Sequence, residues 1–160
     1  MNQSERRLFL IRPLLKENPA YRDWGVPQGA DGQRQLLRGL MNVRPAQKPD
    51  AEFLKIQDEY LREAAKEKGV TDADSLSPVQ PGLYLWQGDI TTLKCDAIIN
   101  AANSGMTGCY VPNHRCIDNA IHTFAGVQLR LACEEIMQRQ GHPEPTGRAK
   151  ITPAFNLPCR

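Results

Sequence analysis

The sequence predicts an α/β domain preceded by a helical segment, and three observations lead there. Apolar residues recur at helical spacing from Leu8 to Ala64, the stretch from Asp72 to Gly82 turns rich in Asp, Ser, Pro and Gly, and beyond it short apolar runs alternate with amphipathic ones. A three-to-four-residue period marks helices with one buried face. Alternating strand-like and helix-like stretches mark an α/β domain. The change of pattern sets a domain boundary, with a helical part over residues 1–78 and an α/β part over residues 79–160.

Leu8, Ile11, Leu14 and Leu15 form the first helical stripe, which Pro13 is expected to kink or restart. Turn residues Trp24, Gly25, Pro27 and Gly29 follow, and a second stripe runs through Leu36, Leu37, Leu40 and Met41 until Pro45 and Pro49 close it. Asp50 is placed to cap a third helix with Phe53, Ile56, Tyr60, Leu61 and Ala64 on one face, ending near Gly69. In the second part, Leu83–Gln87 and Asp96–Asn100 read as buried strands. Residues 117–124 read as a short helix, and a longer one after Gly126 carries Leu129, Ala132, Cys133, Ile136 and Met137 before Gly141 and Pro143 end it. Lys150–Thr152 is expected to begin another strand.

Composition narrows the function classes. The chain has 160 residues, 41% of them hydrophobic, and its 20 basic and 18 acidic side chains are interspersed to a net charge of +2. That balance gives no broad basic face for nucleic acid. The polar start through Arg7, and the interruption at Arg12 and Pro13, fit neither an export signal nor a membrane span. The five cysteines are therefore expected in a reducing cytoplasm, serving metal binding, catalysis or burial rather than disulfides. Cys133, on an apolar helix face, reads as core packing.

The residues that carry chemistry lie between Gly88 and His122. Cys109, His114 and Cys116 form a C-x4-H-x-C pattern within one loop. Two thiolates and an imidazole are favoured zinc donors, and three protein ligands leave a fourth position open to water or substrate. His122 on the following helix, or Cys95, would instead close the set into a structural site. Two further readings stay open: ordinary buried residues, and a cysteine nucleophile paired with His114 or His122. Upstream, Asp89 in Gly88-Asp-Ile-Thr91 could accept a hydrogen bond from an adenine amino group, or simply cap a turn. In Asn100-Ala-Ala-Asn103 the alanines admit a ligand to the backbone and the amides could bind ribose hydroxyls. A mere turn-stabilising role suits Asn100 better than Asn103.

Taken together, Gly88–Thr91, Asp96–Asn103, the run Cys109–His122 and Ala125-Gly126 resemble the macrodomain family, with the closest match in its zinc-containing microbial branch. That branch resembles MacroD-type hydrolases but carries a metal-binding loop where they have a glycine run. The resemblance covers residues 83–160, and the helical half looks like the extension found in that branch. It implies an α/β/α macrodomain sandwich, ADP-ribose as ligand, zinc as cofactor, and removal of mono-ADP-ribose from a modified protein, with neither nucleic acid nor membrane as partner. By position, Asp89 and Ile90 would hold the adenine end and Asn103 would face the distal ribose. Asn103 and Asp118 would be the catalytic residues, and Cys109, His114 and Cys116 the zinc ligands. In the family a second glycine-rich loop wraps the pyrophosphate, and it has no counterpart before Arg160, so the domain is expected to be truncated on its C-terminal side. A non-catalytic ADP-ribose-binding module and a domain merely stapled by zinc are the rival readings.

Overall fold

The computed structural model describes residues 1–159. Three helices build the first part: α1 (Gln3–Glu17), α2 (Ala30–Val43) and α3 (Ala51–Lys68). A reciprocal capping box starts α1, with Asn2 Oδ1 accepting from Glu5 N and Glu5 Oε2 accepting from Asn2 N. Pro13 lies inside α1, and the helix continues through it without a restart, one of the two outcomes expected there. Proline removes only the amide that would bond the Phe9 carbonyl. The flanking Leu10, Ile11, Leu14 and Leu15 are all buried and hold the turn in place. Asp50 caps α3 as expected, accepting from Glu52 N and Phe53 N, and Gly69 ends it at φ 88°. Leu10, Ile11, Leu14, Leu15, Leu37, Leu40, Met41, Phe53, Ile56, Tyr60 and Leu61 then form one core. Each such side chain contributes about 1.5–3 kcal/mol on leaving water.

The second part contributes α4 (Ile117–Ala125) and α5 (Val127–Gln140), separated by Gly126 at φ 99°. Gly141 ends α5 in the left-handed conformation. Val127 packs into the helical core, while Ile121, Ala125, Leu129, Cys133, Leu157 and Cys159 form a second core. Cys133 is thus a packing residue, and burial pushes its thiol up to about 11.

The architecture is mixed α/β, with the sheet content among the described residues confined to two small pairs. β1 (Thr71–Asp72) pairs in parallel with β4 (Leu93–Lys94), so backbone bonds cross from the helical part to the second part. β2 (Pro78–Gln80) pairs antiparallel with β3 (Leu83–Tyr84). The expected buried strands are not formed as such. Leu85 is 81% exposed, and the segments 96–100 and 150–152 belong to no strand, with Ile99 88% and Ile151 92% exposed. A buried strand needs partners for its amides and a cover on both faces. Among these runs only Ile98 packs on the second core. Between the segments 96–100 and 148–154 lies a cleft of about 280 Å³, floored by Ile121, Leu129, Cys133 and Leu157.

Candidate functional site

The loop before α4 brings three metal-type donors together. The Cys109 and Cys116 sulfurs and a ring nitrogen of His114 all lie within 4.8 Å of one another. Cys109 Sγ and His114 Nδ1 are 3.5 Å apart. Zinc bond lengths of about 2.3 Å to sulfur and 2.0–2.1 Å to nitrogen put tetrahedral S and N donors roughly 3.5 Å apart, so the set fits zinc in chemistry and in spacing. Both cysteines are half-buried and His114 is exposed, which leaves the cluster open on one side. His122 and Cys95 are not members of it. Cys95 Sγ instead lies 3.3 Å from the Ala97 carbonyl, and His122 faces Asp118.

Cys116 is also the N-cap of α4, its sulfur accepting from Asn119 N at 3.4 Å. The same helix carries Asp118 and His122 one turn apart, both 5% exposed. Asp118 Oδ1 accepts from Asn100 Nδ2 at 2.8 Å. Burial raises the Asp118 carboxyl above its ordinary value, against the opposing pull of the Asn100 hydrogen bond and the Arg130 charge. His122 Nε2 is 3.6 Å from Asp118 Oδ1. Burial, followed by the Arg130 charge, lowers the imidazole to about 4, so at neutral pH the ring is uncharged and this contact is not an ion pair. The ring lies under Gly108, where a β-carbon would approach it to 2.7 Å. Gly108 also has φ 87°, and both facts require glycine there.

Asn103 stands just before the donor loop. Its Oδ1 accepts from Gly105 N at 2.9 Å and its Nδ2 donates to the Gly108 carbonyl at 3.3 Å. The Asn103 amide thus bonds within its own turn, while the Asn100 amide holds Asp118. Asp89 caps a 3-10 turn, its Oδ1 accepting from Thr91 N at 3.0 Å and Thr91 Oγ1 at 2.6 Å. Its Oδ2 accepts from Lys68 Nζ of α3 at 3.3 Å, and Lys68 lies 3.3 Å over the Phe124 ring. Ile90 packs on the second core. Asp89 and Ile90 thus sit at the α3 seam, whereas Asn103, Asp118 and the cysteine–histidine cluster gather around α4.

Sequence reasoning missed Arg130. Buried at 5% exposure, it donates to the carbonyls of Thr107 (2.8 Å) and Asn42 (2.7 Å), and its guanidinium lies 4.1 Å from the Tyr110 ring centre. Further bonds reach the Arg44 and Met41 carbonyls. A cation is well placed at the carbonyl end of α2, where the helix dipole is negative. An arginine flanked by Leu129 and Leu131 on an amphipathic helix was the available signal.

Comparison with known proteins adds an independent observation. Residues 99–160 match the Macro domain family model. A protein-ADP-ribose hydrolase of Treponema medium is 62% identical over an alignment covering all of this chain and 63% of that protein. A protein-ADP-ribose hydrolase of Staphylococcus aureus (strain MSSA476) is 50% identical over 95% of this chain and 57% of its own length. A probable bifunctional ADP-ribose hydrolase/ADP-ribosyltransferase of Fusarium oxysporum f. sp. cubense is 41% identical over 76% of this chain and 22% of its own length. The chain therefore spans less than two thirds of the curated relatives it matches. From residue 99 onward the chain matches the Macro domain family model, and the chain as a whole is similar in sequence to proteins named protein-ADP-ribose hydrolase.

Proposed function

We propose that this chain carries the metal loop and the acidic residue of a zinc-dependent protein-ADP-ribose hydrolase that removes mono-ADP-ribose from modified protein side chains in the cytoplasm. The observation that carries the proposal is the seating of the Cys109–His114–Cys116 cluster at the N-terminus of α4, the helix that bears Asp118 two residues on. Relatives of matching sequence named protein-ADP-ribose hydrolase supply the substrate class. The helical residues 1–78 are assigned a supporting role, and residues 79–160 the chemistry.

Cleavage breaks the bond between the anomeric carbon of the distal ribose and the protein side chain, water adds to that carbon, and a proton passes to the leaving group. Positive charge develops on the sugar as the bond opens. Asp118, fixed by Asn100 Nδ2, supplies a carboxylate to orient the attacking water and to stabilise that charge. Its raised pKa makes it a stronger base than an exposed aspartate. Asn103 is assigned to the distal ribose, and Asp89 with Ile90 to the adenine end. Bound at Cys109, His114 and Cys116, zinc would fix the sugar and act as a Lewis acid moderated by two thiolates.

The test compares this chain with one extended to the full length of its relatives, measuring release of ADP-ribose from a modified protein alongside zinc content. Asp118→Ala is expected to slow turnover about a hundredfold or more while changing ADP-ribose affinity little. Equal losses in both would point to a binding residue, and binding without any release by the extended protein would favour a non-catalytic module.

A further inference from the structure

The helical N-terminal part contributes no donor to the cluster, yet α2 touches the donor loop along its length. Arg38 donates from Nη2 to the His114 carbonyl at 2.9 Å and to Asn119 Oδ1 at 2.9 Å, and from Nε to the same oxygen at 3.3 Å. One turn on, Asn42, 1% exposed, accepts from Asn113 N at 2.9 Å and donates to Thr123 Oγ1 at 2.9 Å. Between them, a β-carbon on Gly39 would lie 3.2 Å from Asn113 Nδ2, so the loop rests directly on the helix. Asn113 holds a φ of 55°, a left-handed conformation that Asn42 secures by engaging its amide. Asn119, held by Arg38, extends the chain of contacts. Its Nδ2 donates to the Val111 carbonyl at 3.0 Å and the Cys109 carbonyl at 3.4 Å, and its backbone N–H to Cys116 Sγ. Each of the three donor residues is therefore tied, directly or through Asn119, to a guanidinium on α2.

A loop without regular structure loses conformational entropy when a cation gathers its donors, and partners outside the donor set reduce that loss by holding the geometry beforehand. We propose that α2 is a clamp for the Cys109–His114–Cys116 site, with Arg38 and Asn42 as positioning residues for the cation. The proposal rests on the metal reading given above. If these contacts only joined two parts of the fold, removing them would lower stability without altering metal affinity or donor geometry.

The experiment uses the 160-residue chain and needs no turnover. Zn²⁺ affinity is measured by competition with a chromophoric chelator, donor geometry by the absorption bands of the Co²⁺ form, and folding by melting of the metal-free protein. Arg38→Ala and Asn42→Ala are each expected to weaken Zn²⁺ binding about tenfold or more and to shift or broaden the Co²⁺ bands. Arg38→Lys, which keeps the charge but loses the planar fork, is expected to fall between. Arg34→Ala, an exposed α2 residue paired with Asp31, is expected to leave both readouts unchanged. Wild-type affinity and spectrum in the Arg38 and Asn42 variants, with metal lost in Cys116→Ser, would overturn the clamp and leave the metal site standing. Wild-type affinity in Cys116→Ser would overturn the metal reading and the clamp with it. Should Asn42→Ala fail to fold, Arg38→Lys decides on the same readouts.

Discussion

His122 shows how burial turns one side chain into a pH-dependent stability element. Its imidazole is held at about 4 in the folded protein, against about 6.5 when the chain is open. Between those values the unfolded state binds the proton and the folded state does not. The contribution is therefore complete above about pH 6.5 and is lost as pH falls toward 4, by about 3 kcal/mol in all. Asp118 acts in the opposite sense: its raised carboxyl takes a proton before an exposed aspartate would, so its burial costs least at low pH. His122→Gln should flatten the acid limb of stability between pH 6.5 and 4, measured by urea unfolding at a series of pH values. An unchanged limb would mean that the ring is solvated in the folded protein. None of this was legible from sequence, because a histidine one turn from an aspartate on a helix has the same spacing whether exposed or buried.

At the scale of elements, α5 is the helix whose start depends on another. Gly126 offers no side chain to cap it, and the Val127 amide is accepted by Gln57 Oε1 of α3 at 3.0 Å. Gln57 is fully buried, and its Nε2 donates to Gln128 Oε1 at 2.7 Å. Gln57→Ala leaves a buried amide without a partner, which costs about 1–3 kcal/mol. The expected result is a lower urea midpoint with an unchanged slope. The sequence placed α3, α4 and α5 by their apolar stripes, Asp50, Gly126 and Gly141, since those signals act within a few residues. It could not show that a polar residue beside the Phe53, Ile56 and Tyr60 stripe caps a helix seventy positions away.

At the scale of the molecule, the segments around Ile99 and Ile151, which belong to no strand, leave large apolar side chains in solvent beside a partly apolar cleft. Exposed apolar groups next to unpaired backbone favour association between copies. The double variant Ile99→Lys, Ile151→Lys is expected to reduce concentration-dependent light scattering and binding of a hydrophobic dye. Stability should change by no more than about 0.5 kcal/mol, as for other surface substitutions. A large cooperative loss of stability would show that both side chains are buried in solution.

By itself the sequence determined the five helices, the Asp50 cap and the Gly69 and Gly141 ends, the α/β class, and the Cys109, His114 and Cys116 donor set. The helices, their ends and the donor set depend on spacing and side-chain chemistry within short stretches of chain, and the class on how such stretches alternate. Only the tertiary structure decided that Asn100 holds Asp118, that Lys68 of α3 engages Asp89, and that Arg38, Asn42 and Arg130 brace the donor loop. It also decided that the apolar runs at 83–87, 96–100 and 150–152 are not buried strands among the described residues. The reason is the same throughout: these outcomes depend on which surfaces meet across tens of residues, and an apolar run or a polar side chain has the same local pattern before and after it finds its partner.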